Sequence, residues 1–194
     1  MTLDLSACDD GELVAFAVAG QQQAHRELLR RYKDPIFRVI SKTIGDADSA
    51  IDLVQETFVS AFGAIHRYDR SRPFKVWLAS IALNKCRDWA RRRAVRSFFS
   101  FARPLEAAQD HESDAPDAHT EAEGKAELAR VEAAIAQLPQ KLREVLVLRG
   151  IEELSQNETA VALGISEKAV ETRLYRARAQ LKAMMTGTSS PDTD

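Results

Sequence analysis

The chain has little of what extracellular, membrane or metal-holding proteins are built from. It carries two cysteines, Cys8 and Cys86, in 194 residues. Two thiols make no disulfide framework and point to a reducing, cytoplasmic compartment. Four histidines, at positions 25, 66, 111 and 119, are scattered without ligand spacing, so no metal site is expected. Apolar runs are short, and none reaches the roughly 20 residues a membrane-spanning helix requires. Direct membrane insertion is therefore not expected. The N-terminus, MTLDLSACDDGELV, has no basic segment ahead of an apolar one and does not read as a secretory signal. Glycine numbers 8 and proline 6, few for a hairpin-rich fold. Nowhere do β-branched or aromatic residues alternate with polar ones between turn signals. No nucleophile–base or ligand constellation stands out, so neither catalysis nor a cofactor is expected.

What the chain does have is segregated charge. The net charge of −2 hides it. Residues 1–23 hold four acids and no Lys or Arg. Residues 24–96 hold 16 Lys and Arg against 8 Asp and Glu, a net of +8. Residues 97–127 hold 2 against 8, a net of −6, and residues 128–182 hold 9 against 7. A strongly basic block and a mildly basic block flank an acidic spacer. Local field matters more than overall charge for nucleic-acid binding, so the balanced total excludes nothing.

Apolar periodicity predicts an all-α protein of two small helical domains. Leu13 to Ala19 is a short apolar stretch ended by Gly20. A helix from about Gln22 to Ile44 carries Leu28, Leu29, Tyr32, Ile36, Val39 and Ile40, with Pro35 expected to bend or restart it. Gly45 ends it, and Asp46 or Asp48 caps the next helix. There Ile51, Val54, Phe58, Ala61, Phe62 and Ile65 form one stripe, while Asp52, Gln55, Glu56 and Val59 share an adjoining face. After the loop HRYDRSRP, Pro73 can start a helix with Phe74, Trp77, Leu78, Ile81 and Trp89 as apolar contacts. The expected divisions are a first domain over 1–96, an acidic flexible linker over 97–127, a second domain over 128–186 and a disordered tail over 187–194. Residues 104–120 are rich in Asp, Glu, Ser, Ala and Pro, too polar to offset chain entropy by burial.

Three patterns carry the chemistry. ETAVALGISEKAVETRLYRAR, residues 158–178, reads as a helix-turn-helix. Ala160 is small where the helices cross, Gly164 sits at the turn, and Ile165, Val170 and Leu174 fill the space between. Lys168, Glu171, Thr172, Arg173, Tyr175 and Arg176 are left facing outward, as a major-groove helix requires. In the basic block, Tyr68, Phe74, Trp77 and Trp89 interleave with Arg67, Arg70, Arg72, Lys75, Lys85 and Arg87. Bases stack on aromatics while cations track phosphates, so this suits single-stranded nucleic acid. Trp77 and Phe74 equally fit an apolar stripe. The run RRRAVRSFFSF also fits a basic membrane-surface segment or a helix end stabilised by its dipole. Third, Asp52, Gln55 and Glu56 make an acidic face inside a basic block, which suits a basic protein partner.

Together these residues resemble the extracytoplasmic-function sigma factors of bacterial RNA polymerase. DLVQETFVSAF, WLASIALNKCRDWARRR and LPQKLREVLVLRGIEELSQNETAVALGISEKAVETRLYRARAQL stand in that family's order and separation. The match covers about 24–96 and 128–182. The resemblance implies a sigma-two bundle and a sigma-four helix-turn-helix domain, bound respectively to the clamp and the flap of core RNA polymerase. It gives Asp52, Gln55 and Glu56 to the clamp. It gives Tyr68, Arg72, Phe74, Trp77, Asn84, Lys85, Arg91 and Arg92 to the downstream promoter element and its melted non-template strand. Lys168, Glu171, Thr172, Arg173 and Arg176 would read the upstream element as duplex. Glu171 departs from the basic residue often found there, which puts the base preference in doubt. The resemblance also implies an inhibitory anti-sigma factor, often the cytoplasmic segment of a membrane protein. Phe98, Phe99 and Phe101 would cover the domain's end or touch that inhibitor. By the same resemblance the linker enters near the RNA exit path.

Two other readings remain open at this stage. A stand-alone helix-turn-helix regulator would bind duplex DNA without polymerase, but leaves the acidic face beside the aromatic–basic helix unexplained. An adaptor mimicking a sigma factor's first domain has no need of Arg173 and Arg176.

Overall fold

The computed structural model describes residues 5–100 and 119–187, and every regular element among them is helical. A 3-10 turn at Leu5–Ala7 precedes α1 (Asp10–Val18), α2 (Gln22–Ile44), α3 (Ala47–Ala64) and α4 (Phe74–Ser100). A second group follows: α5 (His119–Gln137), α6 (Gln140–Leu146), α7 (Gln156–Leu163) and α8 (Glu167–Gly187). Helix therefore occupies both ends of the segment read as a linker. Residues 101–118, including Phe101, lie outside the described residues, as do the side chains of Phe98 and Phe99 and the tail 188–194.

Local chemistry sets the helix ends. Asp9 caps α1 in a reciprocal box: its carboxylate accepts from the Glu12 N–H at 2.8 Å, and the Asp9 N–H donates to Glu12 at 2.9 Å. Gly45 closes α2 in the left-handed region, at φ 69°, where a side chain would be strained. Asp46 caps α3 by accepting from the Ser49 N–H at 2.9 Å. α2 continues through Pro35 as one helix, so of the two expected effects the proline does not begin a new helix. The residues around the proline, Leu28, Ile36, Val39 and Ile40, are all buried and hold the element together.

α2 packs on α1, α3 and α4, and the core of the first group lies between them. α3 buries Ala50, Leu53, Val54, Thr57, Phe58 and Ala61. Ile51 was expected in this stripe but is 53% exposed, because the buried arc centres one residue away, on Ala50 and Leu53. The Thr57 hydroxyl donates to the Leu53 carbonyl at 2.6 Å, so this polar group is satisfied inside the core.

α4 departs from a one-sided pattern. Phe74, Val76, Leu78, Ala79, Ala82, Leu83 and Cys86 are all buried, and they do not fit a single stripe. The cause is a second cover: α7 of the second group packs against α4, in addition to α2 and α3. The two groups share one apolar core, in which Val145, Val147, Leu148, Leu154 and Leu163 join the first group's residues. A smaller cluster of Ile135, Leu138, Leu142, Leu146 and Ala177 ties α5, α6 and α8 together.

Between α6 and α7 the backbone is irregular. Val147–Ile151 is a π-helical turn, and Glu153 has φ 55°, the one positive value for a non-glycine residue among those described. Ser155 then caps α7 with Glu158 in a second reciprocal box.

Candidate nucleic-acid interface

The loop entering α4 is built around aromatics. Phe74 lies against Tyr32, Tyr68 and Trp77, with ring centroids 5.3, 5.4 and 5.5 Å away, and Tyr68 meets Trp77 at 5.3 Å. Phe74 itself is 1% exposed. It is the floor of the cluster; Tyr68 and Trp77, half-buried, are the rings that reach the surface. The Tyr68 hydroxyl donates to the Arg72 carbonyl, and burial raises its pKa. Asp69 accepts from the Ser71 N–H at 2.9 Å and faces the Arg72 guanidinium at 3.5 Å. The loop is thus folded on itself, with Arg70 and Arg72 exposed.

Along α4 the polar candidates fall on one ridge. Asn84 accepts from Arg87 at 3.1 Å, and Lys85 reaches Glu56 of α3 at 3.6 Å. That last pair joins a candidate from the acidic face to one from the basic helix. Arg91 pairs with Asp88, whose carboxyl this bond holds below its ordinary pKa. Arg93 lies over the Trp89 ring at 5.1 Å and faces Asp46 at 3.9 Å. Arg92 and Arg96 are exposed. On α3, Asp52 and Gln55 are exposed beside Ile51 and Val59, and Val59 is 74% exposed. This face mixes acid and apolar surface.

In the helix-turn-helix, Gly164 ends α7 at φ 66° and the Ser166 hydroxyl accepts from the Ala169 N–H at 3.2 Å to start α8. Val170 is fully buried, with Ile165 and Leu174 packed beside it. Lys168, Glu171, Thr172 and Arg176 are exposed, Arg173 is half-buried, and Tyr175 is 75% exposed. Lys168 and Glu171 pair at 2.8 Å, and the Thr172 hydroxyl donates back to the Lys168 carbonyl at 2.9 Å.

The sequence did not reveal what joins the two groups. Glu144 accepts from Arg87 at 3.0 and 2.7 Å, and Glu152 accepts from Arg38 at 2.9 Å and faces Lys75 at 3.1 Å. Both carboxylate side chains are buried. Arg143 donates to the Thr43 carbonyl of α2 at 2.7 Å and to Leu138 at 2.8 Å. The one local hint was an acid inside the apolar run LREVLVL.

Cys86 is buried in the shared core, and burial pushes its thiol up to about 12, so it is no thiolate at neutral pH. Among the described residues no cluster of His, Cys, Asp and Glu has the geometry to hold a metal, and no helix is long and apolar enough to cross a membrane.

A helix-turn-helix joined to a bundle with an aromatic loop and a basic helix is the architecture of a two-part DNA-binding protein. Comparison narrows the class. Residues 28–96 match Sigma-70 region 2, and residues 128–181 match Sigma-70, region 4. The chain is 39% identical over 180 residues to RNA polymerase sigma factor CnrH of Cupriavidus metallidurans, covering 91% of this chain and 94% of that protein. It is 35% identical to ECF RNA polymerase sigma factor SigD of Mycobacterium tuberculosis, covering 88% and 81%. The solved structure of CnrH in complex with the cytosolic domain of CnrY superposes with a TM-score of 0.69 at 35% identity, over 93% of this chain and 99% of that one. The chain belongs to the extracytoplasmic-function sigma factors of bacterial RNA polymerase.

Proposed function

We propose that this chain directs core RNA polymerase to particular promoters and opens them. The observation that carries this reading is the aromatic cluster at the start of α4. Buried Phe74 supports Tyr68 and Trp77 at the surface, next to exposed Arg70 and Arg72. An unpaired base can stack there while the cations hold its phosphates. Asn84, Lys85, Arg91 and Arg92 continue the track along α4. On α8, Lys168, Glu171, Thr172, Arg173 and Arg176 read the upstream element as duplex. Glu171 can accept from a cytosine amino group and Arg173 can donate to guanine.

Asp52, Gln55 and Glu56, with exposed Ile51 and Val59, form the face for the polymerase clamp; the second group meets the flap. The protein works in the cytoplasm, where the polymerase is. CnrH is solved in complex with the cytosolic domain of CnrY; that likeness supports control of this chain by an anti-sigma factor. Mixing the chain with purified core polymerase tests the polymerase half of the reading. Co-elution of chain and core on gel filtration is expected; separate elution at micromolar concentrations counts against it.

A further inference from the structure

α1 reaches the aromatic cluster through one side chain. Of the three acids at its start, Asp9 and Glu12 close the capping box on each other. Asp10 is not needed for that cap, and its side chain crosses to α2. One carboxylate oxygen accepts from the Tyr32 hydroxyl, and the other faces Arg31 at 3.1 Å. Arg31 also donates to the Ser6 and Cys8 carbonyls at 2.9 and 2.7 Å, and to Glu27 at 2.9 Å. The N-terminal turn and α1 are thus tied to α2 at the level of Tyr32.

Tyr32 carries the connection onward. Its ring lies 5.3 Å from Phe74, the floor on which Tyr68 and Trp77 stand. A part-buried tyrosine needs a partner for its hydroxyl, so the bond to Asp10 by itself asks for nothing more. Its place in the fold adds a second relation. α1 also packs on the 3-10 turn Ile65–Arg67, directly ahead of Tyr68. Residues 68–73 therefore leave one element that rests on α1 and enter another, α4, whose first residue is held from α1 through Tyr32. The Asp10 carboxylate is close enough to act on Tyr68, whose pKa is raised first by burial and then by that charge. Leu13 and Val14 are buried, so α1 is a firm base for both connections.

We propose that Asp10 and Tyr32 are positioning residues for strand opening: the bond between them sets the Phe74 floor, and through it the spacing of Tyr68 and Trp77 that receives an unpaired base. This rests on the promoter-opening reading above. Both residues act through Phe74, not on DNA. The surface rings must offset the cost of unstacking a base, and they do so only when held in register. On a strand already melted that cost is gone, and the demand on the rings falls.

The test uses the full chain with core polymerase and one promoter recovered by run-off from a genomic library. The promoter is supplied as closed duplex and as a template melted in advance around the start site. Permanganate reactivity of unpaired thymines is a second readout. Tyr32→Phe keeps the ring and loses the donor, Asp10→Ala loses the acceptor, and Asp10→Asn keeps an acceptor oxygen. Val14→Ala truncates the core of α1 one turn further on and leaves the bond in place. Tyr32→Phe and Asp10→Ala should each transcribe the closed template about tenfold more slowly, and the melted one at the wild-type rate. The double variant should be no worse than either single one, because both remove the same bond. Asp10→Asn should recover most of the closed-template rate. Val14→Ala should lower the melting temperature yet open the promoter as the wild type does. Equal loss on both templates, additive loss in the double variant, or the same opening defect in Val14→Ala assigns the bond to stability alone and overturns the proposal. Wild-type opening by Tyr32→Phe and Asp10→Ala overturns it too. If the library yields no promoter that the wild-type chain opens, the promoter-opening reading itself fails.

Discussion

Arg87 and Glu144 lie 57 residues apart in sequence and meet at 2.7 Å, the guanidinium from α4 and the carboxylate from α6. The bond joins the helix that carries the candidate strand-opening residues to the group that carries the helix-turn-helix. The aromatic loop, the acidic face of α3 and the recognition helix α8 are thereby fixed on one body with a continuous core. The predictions below probe its parts separately.

Trp77→Ala removes a surface ring whose neighbours, Phe74 and Tyr68, remain to hold the loop. Transcription from closed duplex promoters should fall by about 10-fold to 100-fold, the range expected for losing one stacked base. A template already melted around the start site should recover most of the activity. Equal loss on both templates would assign Trp77 to folding instead.

Glu56→Lys reverses a charge on the face proposed for the clamp. Glu56 and Lys85 are a half-buried pair at 3.6 Å at the edge of the fold, so the loss of stability should be small, with a melting temperature within about 3 °C of wild type. Affinity for core polymerase should weaken by about tenfold or more, since like charges across an interface are costly. Unchanged affinity in a competition assay against the wild-type chain would remove Glu56 from that contact.

Glu153→Gly relieves the left-handed backbone at φ 55°. A side chain there costs about 1–2 kcal/mol, partly offset by the greater entropy glycine loses on folding. A net gain of about 0.5–1 kcal/mol is expected, a rise of roughly 1–4 °C in calorimetry. A fall would show that the Glu153 side chain makes a compensating contact.

Cys86 gives the alkaline limb of stability. Burial favours its neutral thiol, raising the folded pKa from 9.0 to about 12. A raised folded pKa contributes stability that is complete below pH 9 and is lost as pH climbs toward 12. The slope from this one group reaches at most about 1.4 kcal/mol per pH unit. Cys86→Ala should flatten urea midpoints between pH 9 and 10.5 relative to wild type, and native Cys86 should resist iodoacetamide at pH 8. An unchanged slope would mean that other groups titrate there.

Local signals made much of this fold legible. Gly45 and Gly164 stop helices through left-handed backbone, and Asp46 and Ser166 start them through side-chain acceptors, all within four residues of chain. The outward set on α8 followed from its period, except for Arg173, which is half-buried. The failures have another origin. Ile51 and the two-sided burial of α4 depend on which helices pack where, and α7 begins 82 residues after the start of α4. Phe74 and Trp77 have the same character in sequence; only the fold makes one the floor and the other the surface. Glu144 and Glu152 look like surface acids until their partners, more than 50 residues away, are in place.

The most direct measurement is run-off transcription with purified core polymerase and a genomic promoter library. The chain should yield transcripts from a defined set of promoters that core alone does not make, and Arg173→Ala should abolish that set while leaving core binding intact. No chain-dependent transcript, together with tight binding of the chain alone to duplex promoters, would contradict the initiation role and leave a stand-alone regulator.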